Sequence, residues 1–319
     1  VHYDPDINAN QLNTRAGKLL AWIRLRRNYH QWLLLQQNNV DAFLLRHYVH
    51  DPFQLWFIRR CKKPVYLIHH TLEIPELELI GGVSGFVRSR FEEIFGNLSI
   101  KGASGIVGVT REIVDYELSR IDARNKCAHI YPNGVVFNQV NLQDRRSHHI
   151  PELLFVANFS PWHGLDLLLR AVEKSEADFV LHLVGKVPTE LQSKIKDPRI
   201  RVHGILNREQ ISELSQQCWL GLAAFALHRK KMHQACPLKV REYLMLGLPV
   251  CGKYQDIFPE EVSYFRNCSE SIKDILDFAR QTRGLLKKNV AENARNHIEK
   301  RLLLSEINRE LGSSISKMI

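Results

Sequence analysis

The sequence predicts an α/β protein made of two successive halves, each built around a parallel sheet. Three observations support this prediction. Short apolar segments alternate with helical patterns along the chain, which is typical of βαβ units. A polar stretch at residues 143–149 (QDRRSHH) interrupts the alternation, which then starts again. The chain has 319 residues, enough for two domains of ordinary size.

The first half, residues 1–142, is predicted to begin with ten irregular residues and a long basic helix. Strands are predicted at residues 40–48, 64–69, 105–109 and 128–131, and helices at 11–37, 52–58 and 111–120. Segments 73–80 and 88–95 have the pattern of a helix or a loop. Gly81, Gly82 and Gly85 are expected to break the chain between them, because glycine weakens helices.

The second half, residues 143–300, repeats the alternation and is followed by a C-terminal segment. Strands are predicted at residues 152–157, 179–184, 199–203, 219–223 and 248–251, and helices at 164–174, 207–217, 238–246, 271–286 and 290–311. Asn207 and Gln210 have the spacing of a capping box at one helix start. The last residues, 301–319, are predicted to be helical and to pack back on the first half.

Composition indicates a globular protein, with 45% hydrophobic and 24% charged residues. No apolar run approaches the ~20 residues of a membrane span, and no secretory signal opens the chain. The six cysteines are scattered and form no C-x-x-C pair. Reduced thiols and a cytoplasmic location are therefore expected.

Positive charge is concentrated near the N-terminus. The chain has a formal net charge of +10, and residues 1–63 hold ten Lys and Arg against four Asp. This excess suits an anionic membrane surface, so peripheral binding at the inner face of a membrane is predicted. The helix at 11–37 carries Trp22 and Trp32, which either lie at a membrane interface or face the core. Charge alone suggests nucleic acid, but no recognition motif supports that partner.

Residues 236–250 (CPLKVREYLMLGLPV) organise the second half. Pro237 suits a first helical residue, and Gly247 a left-handed helix end. The helix start leaves the N–H groups of Leu238 and Lys239 for an anion, and the Lys239 side chain adds a cation. Glu242, one turn later, can accept hydrogen bonds from sugar hydroxyls. A surface helix with a solvated Lys–Glu pair is the ordinary alternative.

The pattern P-L-K-x-x-E-Y-L-x-x-G-L-P-V resembles the donor-site signature of family 4 glycosyltransferases, which are retaining enzymes of GT-B fold. Four further segments, which precede this one in the chain, resemble that family's motifs and occur in the family's order. They lie at residues 131–135, 155–171, 183–186 and 202–204. The resemblance covers roughly residues 100–310. It implies a GT-B fold, with two Rossmann-like domains whose sheets face each other across a cleft.

The resemblance also implies a reaction and its residues. A sugar would pass, without metal or other cofactor, from a nucleoside diphosphate donor to a glycan or lipid-linked glycan, in surface polysaccharide synthesis. Glu242 would bind ribose, and Lys239, Leu238, Gly185, Asn158 and His163 would surround the diphosphate. His203 and Gly204 would lie beside the base, Gln234 would bind the sugar, and His70 would approach the reacting centre, with His69 as the alternative.

Departures from the family pattern favour a second hypothesis, a weak or inactive enzyme that binds nucleotide-sugars or acts as a scaffold. Asn158 and His163 stand where the family has Arg and Lys, and Gln234 where it often has Glu. Arg229 to Lys231 could restore positive charge, although a solvated loop is the favoured interpretation. The first half also lacks a recognisable opening strand and glycine-rich turn. No cluster of His, Cys or carboxylate residues indicates a metal site.

Overall fold

The computed structural model describes residues 14–122, 126–137, 142–146 and 149–316. The chain folds into two compact units, Val1–Ile130 together with Glu310–Ile319, and Tyr131–Arg309. The domain limits inferred from the sequence, after residues 142 and 300, stay predictions.

The first unit contains a four-stranded parallel sheet in the order β1-β2-β3-β4. Its strands are β1 (Phe43–Arg46), β2 (Val65–His69), β3 (Gly105–Gly108) and β4 (Cys127–Ile130), and its helices are α1 (Arg15–Gln36), α2 (Pro52–Arg60), α3 (Glu73–Glu78), α4 (Gly82–Phe91), α5 (Asn97–Gly102) and α6 (Arg111–Ser119). Asp51 and Thr110 cap α2 and α6 through their side chains. Strands β1, β2 and β3 lie within the segments predicted from the apolar runs, and β4 begins one residue before its predicted segment, at Cys127.

The two tryptophans of helix α1 have different surroundings. Trp32 packs against the core of Phe57, Leu67 and Ile106, as the core interpretation expects. Trp22 keeps 38% of its surface exposed and contacts Phe53 edge-on at 6.3 Å. Only the C-terminal part of α1 is therefore anchored as a core helix.

Gly81 and Gly82, with φ of +71° and +61°, lie at the predicted break between α3 and α4, whereas the predicted break at Gly85 is wrong. Only Gly81 precedes the helix, and α4 begins at Gly82 and includes Gly85. A π-helical turn at Glu92–Gly96 then connects α4 to α5. Gly85 fits inside α4 because a Cβ there would lie 2.9 Å from the carbonyl oxygen of Leu77, so close packing favours glycine at this helical position.

The second unit contains a six-stranded parallel sheet in the order β10-β9-β8-β5-β6-β7. Its strands are β5 (Glu152–Val156), β6 (Val180–Val184), β7 (Ile200–Gly204), β8 (Leu220–Leu222), β9 (Val250–Gly252) and β10 (Phe265–Asn267). Its helices are α7 (Leu165–Glu173), α8 (Thr189–Gln192), α9 (Arg208–Gln217), α10 (Leu238–Met245), α11 (Ile272–Thr282) and α12 (Lys287–Ile298). α13 (Lys300–Ser316) belongs to this unit up to Arg309.

Strand order places a topological switch point between β5 and β8. From β5 the chain builds outward through β6 to β7, and it then returns to the other side of β5 with β8, β9 and β10. Ligands of open parallel sheets bind outside the carboxyl ends of the strands at such a point. The segments that follow β5 and β8 are therefore the first place to look for a site.

The predicted helix at 290–311 is wrong in one respect, because the chain interrupts it at Glu299. The Val135 N–H donates to the Ile298 carbonyl and the Lys300 N–H donates to the Val135 carbonyl, both at 2.8 Å. This bridge uses the backbone groups that a continuous helix would need. Strand β10 and the short α8 were not predicted.

No helix in the described residues is long and apolar enough to cross a membrane. All six cysteines lie within the described ranges, and each is a free thiol there.

Candidate functional site

The start of α10 lies at the carboxyl end of β5. The helix begins at Leu238, with Pro237 as its extended cap, so Pro237 precedes the helix and is not its first residue. Among the described residues, nothing accepts hydrogen bonds from the N–H groups of Leu238 and Lys239. Gly247 ends the segment with φ +69°, as predicted, and a Cβ there would lie 2.5 Å from a backbone oxygen. The helix therefore presents donors to an anion.

Lys239 extends away from solvent, over the end of β5. Its Nζ lies 3.5 Å from the Val156 carbonyl oxygen and 4.9 Å from the centre of the Phe155 ring. Burial lowers its pKa to about 7. The solvated pair with Glu242, considered from the sequence, is wrong, because Lys239 contacts the strand end instead. An anion beside Lys239 would favour its charged form.

Glu242 lies one turn further along α10 with its side chain exposed. Within the described part of the chain its carboxylate has no hydrogen-bond partner. Partial desolvation raises its pKa, and the nearby positive charge of Arg208 opposes the shift. The carboxylate can therefore accept hydrogen bonds from a ligand without breaking an internal contact.

His163 follows β5 in a short helical turn at Pro161–His163. Its Nδ1 accepts a hydrogen bond from the Ser160 N–H at 3.0 Å. Burial lowers its pKa to about 3, and the positive charge of Lys239 contributes further. His163 is thus a neutral imidazole next to Lys239. Asn158, at the exposed start of the same loop, adds no charge.

The loop after β8 packs on the loop after β5. The N–H groups of Phe225 and Ala226 donate to the carbonyl oxygens of His163 and Trp162, at 3.0 and 3.2 Å. These bonds hold the two loops at the switch point against each other.

Two basic residues of the loop after β8 make contacts within the protein, although the sequence analysis favoured a solvated loop. Arg229 donates to both carboxylate oxygens of Asp166 at 2.8 Å, so its charge is balanced within the protein. Lys230 is buried, and its Nζ lies 4.9 Å from the Trp162 ring centre. Lys230 is therefore a second cation beside the His163 loop.

Gly185 and Gly204 lie at the carboxyl ends of β6 and β7. The Gly185 N–H donates to the Gly204 carbonyl at 2.6 Å. A Cβ on Gly185 would lie 2.1 Å from the Ala157 carbonyl oxygen, and its φ is +113°. Glycine at residue 185 thus permits the close approach of the ends of β5, β6 and β7.

His203 makes a contact that the sequence did not reveal. Its Nε2 lies 2.9 Å from Nδ1 of His182, whose Nε2 lies 2.8 Å from the Glu152 carboxylate. The two imidazoles stack with their centres 5.1 Å apart. The His203 side chain is therefore held by this chain of contacts.

Tyr243 is a positioning residue that the functional interpretation missed. Its hydroxyl accepts the Val156 N–H at 2.6 Å, which joins α10 to the end of β5. Its ring lies against Gly221, where a Cβ would approach it to 2.5 Å. The E-Y pair thus combines an exposed carboxylate with a buried anchor.

Gln234 lies in the segment that leads into α10. It is half-buried and forms an isolated parallel bridge with Gln255. Two residues later, the Cys236 carbonyl accepts the Asn133 side-chain amide at 2.6 Å. The predicted turn at residues 131–135 therefore supports the entry of α10.

The second unit also has a cavity of about 740 Å³ beside β10 and α11, and none of the predicted donor residues lines it.

His70 lies in the first unit, directly after β2, and is half-buried. The expectation that no His and carboxylate residues cluster is wrong, because His69, Glu73 and Glu117 come together there.

Residues 150–288 match the model of a protein family described as glycosyl transferases group 1. This segment contains β5 to β10 and all predicted donor residues. No curated protein matches the chain significantly.

Solved structures resemble the chain over most of its length. The apo form of the lipopolysaccharide outer core galactosyltransferase WaaB has 13% identity and a TM-score of 0.62, covering 93% of this chain and 81% of its own. Alr3699/HepE from Anabaena, in complex with UDP-glucose, has 15% identity and a TM-score of 0.63, covering 94% and 84%. A glycosyltransferase from Rickettsia africae has 15% identity and a TM-score of 0.63, covering 99% and 85%. The chain therefore has the predicted GT-B fold with two parallel sheets, and its residues 150–288 match the group 1 glycosyl transferases.

Proposed function

We propose that this chain is a retaining glycosyltransferase of family 4 that transfers a hexosyl group from a nucleoside diphosphate donor. One observation carries the proposal. At the switch point, the Lys239 side chain lies over the end of β5, and the N–H groups of Leu238 and Lys239 have no acceptor among the described residues. The exposed Glu242 carboxylate follows one turn later. Fixed donors of this kind stabilise the charge that develops on a diphosphate leaving group.

The donor is proposed to bind across the strand ends of the second unit. Glu242 accepts hydrogen bonds from ribose, and Lys239 and Leu238 bind the diphosphate. Gly185, Asn158 and His163 line the phosphate loop, and Gly204 with His203 lies beside the base. Gln234 binds the sugar, and His70 of the first unit is the proposed catalytic residue. Because Lys239 and the helix N-terminus neutralise the phosphates, this transfer requires no metal at the diphosphate.

The decisive experiment is ligand binding and turnover on the wild type and on Glu242→Ala. UDP-glucose is the first donor to test, because it is bound in the Anabaena structure, followed by GDP- and ADP-sugars. A ligand at 100 times its dissociation constant adds about 2.7 kcal/mol to the free energy of unfolding. We expect one nucleotide to raise the melting temperature of the wild type and to have little effect on the variant. If no nucleotide-sugar stabilises the wild type, the donor site is wrong.

A binding or scaffold protein without turnover is the second candidate, because no cation replaces Asn158 and His163 in the loop after β5. Donor hydrolysis or transfer, followed by NMR, separates the two candidates. Release of sugar from the donor, with the α-anomeric configuration kept from an α-linked donor, supports the retaining enzyme. Tight donor binding with no product above a Glu242→Ala control supports the scaffold.

The acceptor is proposed to be a glycan or lipid-linked glycan of surface polysaccharide synthesis at an anionic membrane surface. Helix α1 contains five Lys and Arg and no acidic residue, and Leu19 and Leu20 are 58% and 63% exposed. Helix α4 exposes Val83 and Phe86 by 80% and 61%. Basic helices with exposed apolar residues bind membrane interfaces.

Sedimentation with lipid vesicles tests the membrane part separately. We expect binding to vesicles with anionic lipid at low salt, little binding to neutral vesicles, and loss of binding in a Leu19→Ser, Leu20→Ser variant. If the variant binds as well as the wild type, α1 is not the docking surface. Donor binding should not change in either case.

A further inference from the structure

Six titratable side chains form a buried cluster around the carboxyl ends of β1 and β2 in the first unit. The members are His47, His69, Glu73, Glu92, Glu117 and Arg120, and none of these side chains is more than 5% exposed. The cluster is not part of the proposed donor site, and the reaction proposed above does not use it. Its burial requires that charges and polar atoms be balanced locally.

Three members have the spacing of metal ligands. Nδ1 of His69 lies 3.0 Å from Oε1 of Glu73 and 3.6 Å from Oε2 of Glu117. One ligand atom from each residue lies within 4.8 Å of the other two. Neighbouring ligands in a shell with bonds of about 2.1 Å are about 3.0–3.4 Å apart. Small side-chain adjustments would therefore place all three atoms around one ion.

The charge balance favours a cation at this position. The cluster contains three carboxyl groups, and Arg120 is its one permanent cation, with bonds of 2.9 Å to Glu92 and 2.6 Å to Glu117. The imidazole of His47 faces Glu92 at 3.0 Å. When all three carboxyl groups are ionised, one guanidinium leaves two negative charges unbalanced.

Unpartnered oxygens provide a second, independent observation. Oε2 of Glu73 and Oε1 of Glu117 are buried and have no hydrogen-bond partner among the described residues. Most buried polar atoms in proteins have a partner. These two oxygens belong to the same carboxyl groups that face His69, so they are available to complete a coordination shell.

We propose that His69, Glu73 and Glu117 bind one divalent metal ion of the Zn²⁺ or Mn²⁺ class. One imidazole and two carboxylates suit these ions, whereas Mg²⁺ and Ca²⁺ prefer oxygen ligands alone. The ion balances the two buried negative charges and links the end of β2 to α3 and α6. It thereby fixes the segment that carries His70. The sequence analysis expected no metal site in this chain. The proposed site does not depend on sugar transfer.

Metal titration of the full chain tests the proposal. The protein is treated with a chelator, returned to metal-free buffer, and titrated with ZnCl₂ and MnCl₂ against a chromophoric competitor. We expect one ion per chain and at least tenfold weaker binding by Glu117→Gln, which keeps the side-chain shape but removes the charge. Glu93→Gln is the matched control, because Glu93 is in the same unit and, among the described residues, pairs with the exposed Arg90 alone.

Two results would overturn the proposal. One is a wild type that binds neither ion stoichiometrically, in which case protons alone balance the carboxyl groups. The other is Glu117→Gln with wild-type affinity, which would place the ion elsewhere. If Glu117→Gln does not fold, Co²⁺ absorption of the wild type and of Glu73→Gln replaces it. Bands of bound Co²⁺ that Glu73→Gln leaves unchanged count against the site.

Discussion

Lys239 shows how a residue proposed to bind the donor can oppose the stability of the fold. Its ammonium group lies over the Phe155 ring with one carbonyl oxygen nearby, and burial lowers its pKa to about 7. The folded protein therefore loses the Lys239 proton above pH 7, whereas the unfolded chain keeps it up to about 10.5. The free energy of unfolding should rise with pH between these values, because the unfolded state holds more protons.

Replacing Lys239 by methionine should stabilise the protein and weaken donor binding. We expect Lys239→Met to raise the free energy of unfolding by about 1–2 kcal/mol at pH 6, because the cost of burying a charge disappears. The affinity for the nucleotide-sugar should fall tenfold or more. Urea denaturation and calorimetric titration measure the two effects, with the exposed Lys194→Met as control. Lower stability together with unchanged affinity would contradict this role.

Donor affinity should decrease as the pH rises above about 7. Only the charged form of Lys239 attracts the diphosphate, so the affinity should fall up to about tenfold per pH unit above its pKa. A nucleotide-sugar is the suitable probe, because its diphosphate is a diester and does not titrate in this range. Lys239→Arg, which stays charged, should bind with little dependence on pH. A wild type that binds equally well at pH 6.5 and 8.5 would show that Lys239 does not contact the diphosphate.

At the residue scale, the sequence indicated the candidate donor residues but not what surrounds them. Lys239 and Glu242 became candidates because local signals predict the helix start that carries them. The contact of Lys239 with the end of β5 joins residues 83 positions apart. The cluster of His69, Glu73 and Glu117 likewise depends on folding that local patterns do not describe. Residue types predicted which single groups could bind a ligand. Tertiary contacts, which the sequence does not show, shift the pKa of these groups.

At the scale of elements, prediction succeeded where signals were local. The capping box of Asn207 and Gln210 forms as expected, and Gly247 ends α10 in the left-handed region. The interruption at Glu299 was missed because its cause, the bridge to Val135, lies far away in sequence. Gly85 was expected to break the helix because intrinsic propensity disfavours glycine in helices, and its close packing on the Leu77 carbonyl outweighs that preference.

Two glycines at adjacent strand ends allow a matched test of the phosphate loop. Gly185→Ala should cost about 3 kcal/mol, because its φ is +113° and a Cβ would lie 2.1 Å from the Ala157 carbonyl. Gly204→Ala should cost only about 1 kcal/mol, because its φ is +68° and no atom lies within 4 Å of the Cβ. Urea denaturation compares them. Equal costs would mean that conformation alone, and not the close approach of β5 and β6, requires Gly185.

At the scale of the whole molecule, each unit has a core of its own. The first is built around Phe57, Leu67 and Ile106, and the second around Leu153, Phe155 and Leu222. The proposed donor residues lie in the second unit, whereas the proposed metal ligands and the proposed catalytic His70 lie in the first. The two proposals therefore concern different units of one chain, and their ligands should act on different backbone segments.

Hydrogen exchange measured by mass spectrometry should separate the two ligands in a single preparation. A nucleotide-sugar should slow exchange at the strand ends and helix start of the second unit, around residues 156–164, 184–186 and 236–242, because binding suppresses local opening. Zn²⁺ or Mn²⁺ should slow exchange around residues 66–73 and 113–120 in chelator-treated protein. Glu242→Ala should lose only the first effect and Glu117→Gln only the second. Protection by the nucleotide-sugar confined to the cavity beside β10 and α11 would instead move the donor site to that side of the sheet.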